Sequence, residues 1–115
     1  TGGGYTPQPQ SDIDETEDEV KATAGTLGGF TITNLHSATV YVRFYNATAV
    51  VVVVGTTAAL VTIAIPAGSG VSLPPAGIGL AFDTAICVAA TLGVAASDTT
   101  AIPGANLVVG SIYYK

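Results

Sequence analysis

Charge is what this sequence lacks most. Only 10% of its 115 residues are charged, against about a quarter in an ordinary soluble domain. Lys and Arg together number three, too few for the phosphate-contacting footprint of a nucleic-acid binder. A single cysteine, Cys87, excludes an internal disulfide and a cysteine-based metal cluster. Set in TAICVAA, it reads as a small buried hydrophobe. Tryptophan is absent, and with no cysteine pair either, an immunoglobulin-like sandwich has no support. No run of about 18 apolar residues escapes interruption by Thr, Gly or Pro, so a membrane span is not expected. The first ten residues, TGGGYTPQPQ, have neither the basic region nor the apolar stretch of a secretory signal. A helical period is missing too. The helix formers Ala89, Ala90, Ala95 and Ala96 stand beside Gly93 and the β-branched Val88, Thr91 and Val94.

What charge there is lies mostly in one place. Asp12, Asp14, Glu15, Glu17, Asp18 and Glu19 supply six of the eight carboxylates. From residue 22 onward only Arg43, Lys115, Asp83 and Asp98 are charged, so that body has no net charge. A neutral, apolar surface tends to associate, which points to a homo-oligomer or a piece of a larger assembly. Residues 1–19 contain no periodic apolar set and read as a flexible acidic arm outside the core, suited to docking on a basic partner. Asp12 and Asp14 superficially open a calcium loop. Counted from Asp12, however, Glu17 holds the position that requires glycine and Thr23 the one that requires a bidentate Glu, so no metal is expected.

The body, residues 20–115, is rich in the period-two pattern of half-buried strands. Residues 30–46, FTITNLHSATVYVRFYN, hold four of the eight aromatics and read as a hairpin seeding the core. Val40, Val42 and Phe44 share one face, Tyr41, Arg43 and Tyr45 the other. The run AVVVVV at 49–54 reads as a strand buried on both faces. Further short strands are expected at 20–24, 59–65, 71–73 (stopped by Pro74 and Pro75), 78–82, 84–92 and 106–114, with the longest loop between 93 and 104. Eight or nine short strands separated by Gly and Pro turns predict an all-β fold, an antiparallel two-sheet sandwich of jelly-roll type.

Chemistry is thin. His36 falls in a turn with no nucleophile facing it and no further ligands at metal spacing. The glycine-rich GTLGG at 25–29 lacks a following lysine. No catalytic residue and no cofactor is expected. Arg43 between Tyr41 and Tyr45 reads either as an exposed cation lying on two rings or as an interface anchor.

Several motifs carry a resemblance: GTLGGFTITN at 25–34, YVRFYN at 41–46, GTT at 55–57, IPAG at 65–68 and GIGLAF at 77–82. Across most of residues 20–115 the chain resembles small virion structural proteins of tailed bacteriophages, in particular capsid decoration (cement) proteins. The resemblance implies a β-sandwich that multimerises on the virion surface, often as a trimer, against the major capsid protein or other virion proteins, without catalytic residues. The alternative is a tail, baseplate or fibre module that binds a host-surface glycan.

Overall fold

Alternation of apolar and polar side chains shapes the strands of the computed structural model, which describes residues 5–73, 79–95, 97–104 and 106–115. In chain order they are β1 (Thr6–Gln10), β2 (Asp18–Lys21), β3 (Gly25–Asn34), β4 (Val40–Tyr45), β5 (Val61–Ile65), β6 (Gly70–Leu73), β7 (Leu80–Phe82), β8 (Ile86–Thr91) and β9 (Val108–Tyr114). Strands make up 48% of the described residues, and there is no helix among them. Pro74, Pro75, Gly77 and Ile78, expected to end one strand and begin the next, lie outside the described residues.

The strands form two antiparallel sheets, one in the order β1-β9-β3-β6 with β7 also on β3, the other in the order β2-β8-β4-β5. These orders follow from one long nested ribbon. β4 pairs with β5, β3 with β6 and β7, β2 with β8, and β1 with β9. Successive pairs fall in alternate sheets, and the side pairings β3–β9 and β4–β8 close each sheet. That winding is a jelly roll. The core lies between the sheets. Phe30 and Ile32 face Val40, Val42 and Phe44, with Ile86, Val88, Val108 and Ile112 around them. Each large side chain so buried is worth roughly 1.5–3 kcal/mol. The rings of Phe30 and Phe44 stack at 5.7 Å and 28°.

Three expectations need correction. Residues 30–46 are not a hairpin, because β3 and β4 belong to different sheets. Their apolar faces oppose each other across the core, which buries both sets more fully than neighbouring positions on one sheet would. Buried Asn34 holds the crossing. Its Nδ2 donates to the carbonyls of Ala38 at 2.8 Å, Ile65 at 3.0 Å and Pro66 at 3.3 Å, and its Oδ1 accepts the His36 amide at 2.9 Å.

Residues 49–54 are not a strand. The Thr48 carbonyl accepts the amides of Val51 and Val52, at 3.0 and 3.1 Å, and the Val53 amide donates to Thr57 Oγ1 at 2.8 Å. Local turns, aided by Gly55 at φ 90°, outcompete a ladder. Only Val52 of the five valines is fully buried; Val50, Val51 and Val53 are 94%, 62% and 56% exposed.

The domain does not begin at residue 20. From Tyr5 on, the acidic arm is part of the sandwich. β1 pairs with β9 over five residues. Its edge position explains why Pro7 and Pro9 are tolerated there. The Tyr5 ring occupies the space a Cβ at Gly28 would need, with Lys115 Nζ 4.9 Å from its centroid. Ile13 joins the main core, its amide donates to the Val108 carbonyl at 2.9 Å, and the Asp14 carbonyl accepts the Ala90 amide at 2.7 Å. What composition hid is that one isoleucine and a proline-alternating strand anchor an otherwise polar segment.

Deleting residues 1–19 should therefore abolish cooperative folding or lower the melting temperature steeply. Ile13→Ala alone should cost about 2–4 kcal/mol. Chemical denaturation checks both, and an unchanged midpoint would return the segment to the status of a loose arm.

Candidate functional site

Two surfaces gather the residues singled out from sequence. The first is an open groove of ≈ 580 Å³ between β1, β2 and the segment joining them. Asp12, Asp14, Asp18 and Glu19 line it with Gln8 and Gln10; Glu15 and Glu17 do not. The Gln8 side chain reaches across, Nε2 donating to the Glu19 carbonyl at 3.2 Å, while Gln10 Nε2 donates to Gln8 Oε1 at 2.7 Å. Two of the carboxylates brace backbone: Asp12 Oδ1 accepts the Asn106 amide at 3.1 Å, and Asp14 Oδ1 the Thr16 amide at 2.9 Å. Asp18 has the least comfortable position. Burial pushes its pKa above the usual carboxylate value, and Asp14, Asp12 and Glu17 push the same way. Among the described residues no group of three or more His, Cys, Asp or Glu is arranged to hold a metal ion.

The second surface is the outer side of the sheet β2-β8-β4-β5. Period two places Tyr41, Arg43 and Tyr45 there, as the sequence implies. The face is nevertheless covered. The valine-rich loop between β4 and β5 folds over it, and Val52 packs with Tyr45, Cys87 and Ala89 in a second small core. Tyr45 and Arg43 are buried, and Tyr41 is half-buried, so Arg43 is not an exposed cation lying along two rings. Its guanidinium closes the loop after β8. Nη2 donates to three successive carbonyls, Gly93 at 2.9 Å, Val94 at 3.1 Å and Ala95 at 3.0 Å, and Nη1 to the Thr91 hydroxyl. Asp98 ties the same loop from the far side, accepting the Gly93 amide at 2.8 Å and the Thr100 hydroxyl at 2.8 Å. Those bonds, the Thr100 hydroxyl's foremost, hold its pKa below the usual value. A hollow of ≈ 340 Å³ remains over Arg43, lined by Thr57, Ala58, Ala59, Thr62 and Val94.

The potential nucleophile and base are not brought together. Cys87 sits under the valine loop, where burial first, then Glu19, Glu17 and Asp18, raise its thiol pKa to about 11; at neutral pH it stays protonated and unreactive. His36 is in the β3–β4 crossing, its backbone amide held by Asn34. What sequence reading missed is the exposed part of the valine run. Five consecutive β-branched residues signalled a strand, and only the flanking Thr48, Gly55 and Thr57 hinted at turns.

The arrangement offers contact surfaces, one acidic and one apolar. No helix among the described residues is long and apolar enough to cross a membrane. No protein-family model, no curated protein and no solved structure matches the chain.

Two outcomes check this geometry. Arg43→Met should destabilise the protein by about 2–4 kcal/mol, because three carbonyls and Thr91 lose a buried donor. Arg43→Lys should restore little, since one ammonium cannot span the fork. Denaturant midpoints decide. Asp18→Asn should stabilise slightly, by less than about 0.5 kcal/mol at so open a site. The raised carboxyl opposes folding when ionised, so the gain should be present at neutral pH and vanish as pH falls through its folded pKa toward the unfolded value near 3.8. A gain that persists in acid would assign it to packing.

Proposed function

We propose that the chain is a non-enzymatic virion structural protein of a tailed bacteriophage, most simply a decoration protein that oligomerises on the capsid and clamps neighbouring shell subunits. The observation that carries this reading is the apolar loop that covers the outer face of one sheet. Three valines stand out into solvent from a loop that already has a buried anchor in Val52, on a body with almost no charge. Soluble monomers rarely expose contiguous apolar patches beyond a few hundred Å² unless they serve contact. A lattice also supplies avidity, so many weak apolar contacts add to a strong attachment. The jelly-roll sandwich and the turn and core motifs of residues 25–82 support the same family of proteins. The acidic groove supplies an electrostatic contact to a basic patch of a shell subunit, one that salt weakens.

The glycan-binding alternative draws on the groove's polar lining. Its described lining residues include Gln8, Gln10 and four carboxylates but no aromatic ring for a sugar to stack on, and this favours the structural reading.

Phage carrying Asp12→Asn, Asp14→Asn, Asp18→Asn and Glu19→Gln together should release the protein at lower salt, and their heads should burst at lower temperature, with host adsorption unchanged. Full head stability combined with lost adsorption would overturn the decoration reading in favour of the receptor-binding one.

A further inference from the structure

The four sheet edges are not treated alike. A free edge strand invites pairing by another chain, and proteins block it with proline, charge, bulges or brevity. Edge β1 carries Pro7 and Pro9, which have no amide hydrogen to offer. Edge β2 carries Asp18, Glu19 and Lys21 and shifts register between Glu19 and Lys21. On the β3 flank the edge is broken into β6, of four residues, and β7, of three. Edge β5, VTIAI, has none of these devices. It contains no charge and no proline, and it pairs with β4 in unbroken register from Phe44–Val61 to Val40–Ile65. No charged residue occurs anywhere between Arg43 and Asp83.

The backbone of β5 is set for a partner. The Ala90 amide points toward Asp14, on the β2 side of β8, so Cys87, Ala89 and Thr91 of β8 face β4. Strand alternation then turns the Val40, Val42 and Phe44 backbone toward β5, in keeping with the Phe44 carbonyl accepting the Leu60 amide at 2.8 Å. Val61, Ile63 and Ile65 therefore bond inward to β4. The amides and carbonyls of Thr62 and Ala64 face outward.

We propose that the β5 edge pairs with the β5 edge of a second copy, antiparallel about a two-fold axis at Ile63, joining two four-stranded sheets into one of eight. In that register Thr62 faces Ala64 of the second copy and the reverse, giving four backbone hydrogen bonds from groups that are already aligned. The occupant is a second copy for two reasons. An antiparallel edge is complementary to itself under two-fold rotation. The charge of this sheet is also polarised: β2 and β5 are its opposite ends, so copies meeting at β2 set Asp18 and Glu19 against their own kind, while copies meeting at β5 meet no charge. The pairing deepens the self-association in the proposed function but does not depend on the virion reading.

The test is sedimentation equilibrium of the full chain at micromolar concentration, with hydrogen exchange on the same samples. The wild type should sediment at twice its 11.4 kDa chain mass. The Thr62 and Ala64 amides should be protected in the dimer and lose protection on dilution. Thr62→Pro, which removes an outward donor and spares the β4 ladder, and Ala64→Lys, which sets two like charges diagonally across the two-fold axis on one face of the joined sheet, should each weaken the dimer more than about tenfold. A control, Val51→Asp in the exposed valine loop, should leave it intact. A monomeric wild type overturns the proposal, as does a dimer that survives both edge variants or dissolves only with Val51→Asp. Should the variants misfold by circular dichroism, fast exchange at Thr62 and Ala64 in the wild-type dimer overturns it and slow exchange upholds it. A chain that dimerises through β5 but never binds phage heads would refute the virion reading alone.

Discussion

The stack of Phe30 on Phe44 is the contact on which the two sheets depend. One ring comes from the long strand β3 and the other from β4, and they meet across the core at 5.7 Å. Because the chain between them is only 35–39, the two strands could have paired side by side. Packing decides otherwise. Side by side, Phe30 and Ile32 would sit next to Val42 and Phe44 on one face and still need a cover. Opposed, each set covers the other. Once β3 and β4 are in different sheets, the chain must cross the sandwich again to place β6, β8 and β9 beside their partners, and the jelly-roll order follows from that first crossing. Asn34, fully buried with its amide and carbonyl oxygen both bonded, is the polar counterpart of the ring stack: it satisfies backbone groups that the crossing would otherwise strand without partners.

Much of this fold was legible in the sequence, and the reasons are local. Period two gives strands β4, β5, β8 and β9 close to their observed bounds, because alternate residues of each face the main core, and it gives the second half of β3, which begins at Gly25 and not at Phe30. The inward set Val40, Val42 and Phe44 needs nothing beyond alternation. The acidic segment was misplaced because contacts distant in sequence decide it. Nothing between residues 5 and 19 says that Ile13 will meet Val108, or that Tyr5 will lie on Gly28. A flexible, acidic composition outweighs one isoleucine until the partner strand is known. The valine run fails in the opposite direction. Its intrinsic strand preference is strong, yet the Thr48 carbonyl, the Thr57 hydroxyl and the glycine between these residues bend it into turns. Of the candidate site, the acidic residues that line the groove were visible as a cluster. Arg43 was visible as the one internal cation, but its role was not: its acceptors are carbonyls of a loop 50 residues away, and a carbonyl leaves no mark in a sequence.

Arg43 shows how sparingly this chain uses charge. A guanidinium buried without a carboxylate among its hydrogen-bond acceptors is costly unless its donors are met. Here Thr91 and three consecutive carbonyls meet them. Asp98 performs the complementary task on amides of the same loop, and Asp83 joins Asn46 to Thr84, its carboxyl held below the usual pKa by those two bonds, the Asn46 bond first. Three of the four charges after residue 21 are thus fasteners between elements.

The consequence is directional. With the body's charges engaged in bracing loops, repulsion between copies comes mainly from the carboxylates around β2, at one end of a single sheet. The other end is neutral over a stretch of nearly forty residues, and the valine loop projects from the outer face between them. A protein built in this way has one side whose carboxylates repel a second copy, and another that carries no charge to repel one. Such asymmetry is of little use to a free monomer, whose solubility is best served by charge spread evenly. Under the proposed function it would suit a subunit whose orientation matters: one side turned to a surface of opposite charge, the bare side left for neighbours of the same sequence.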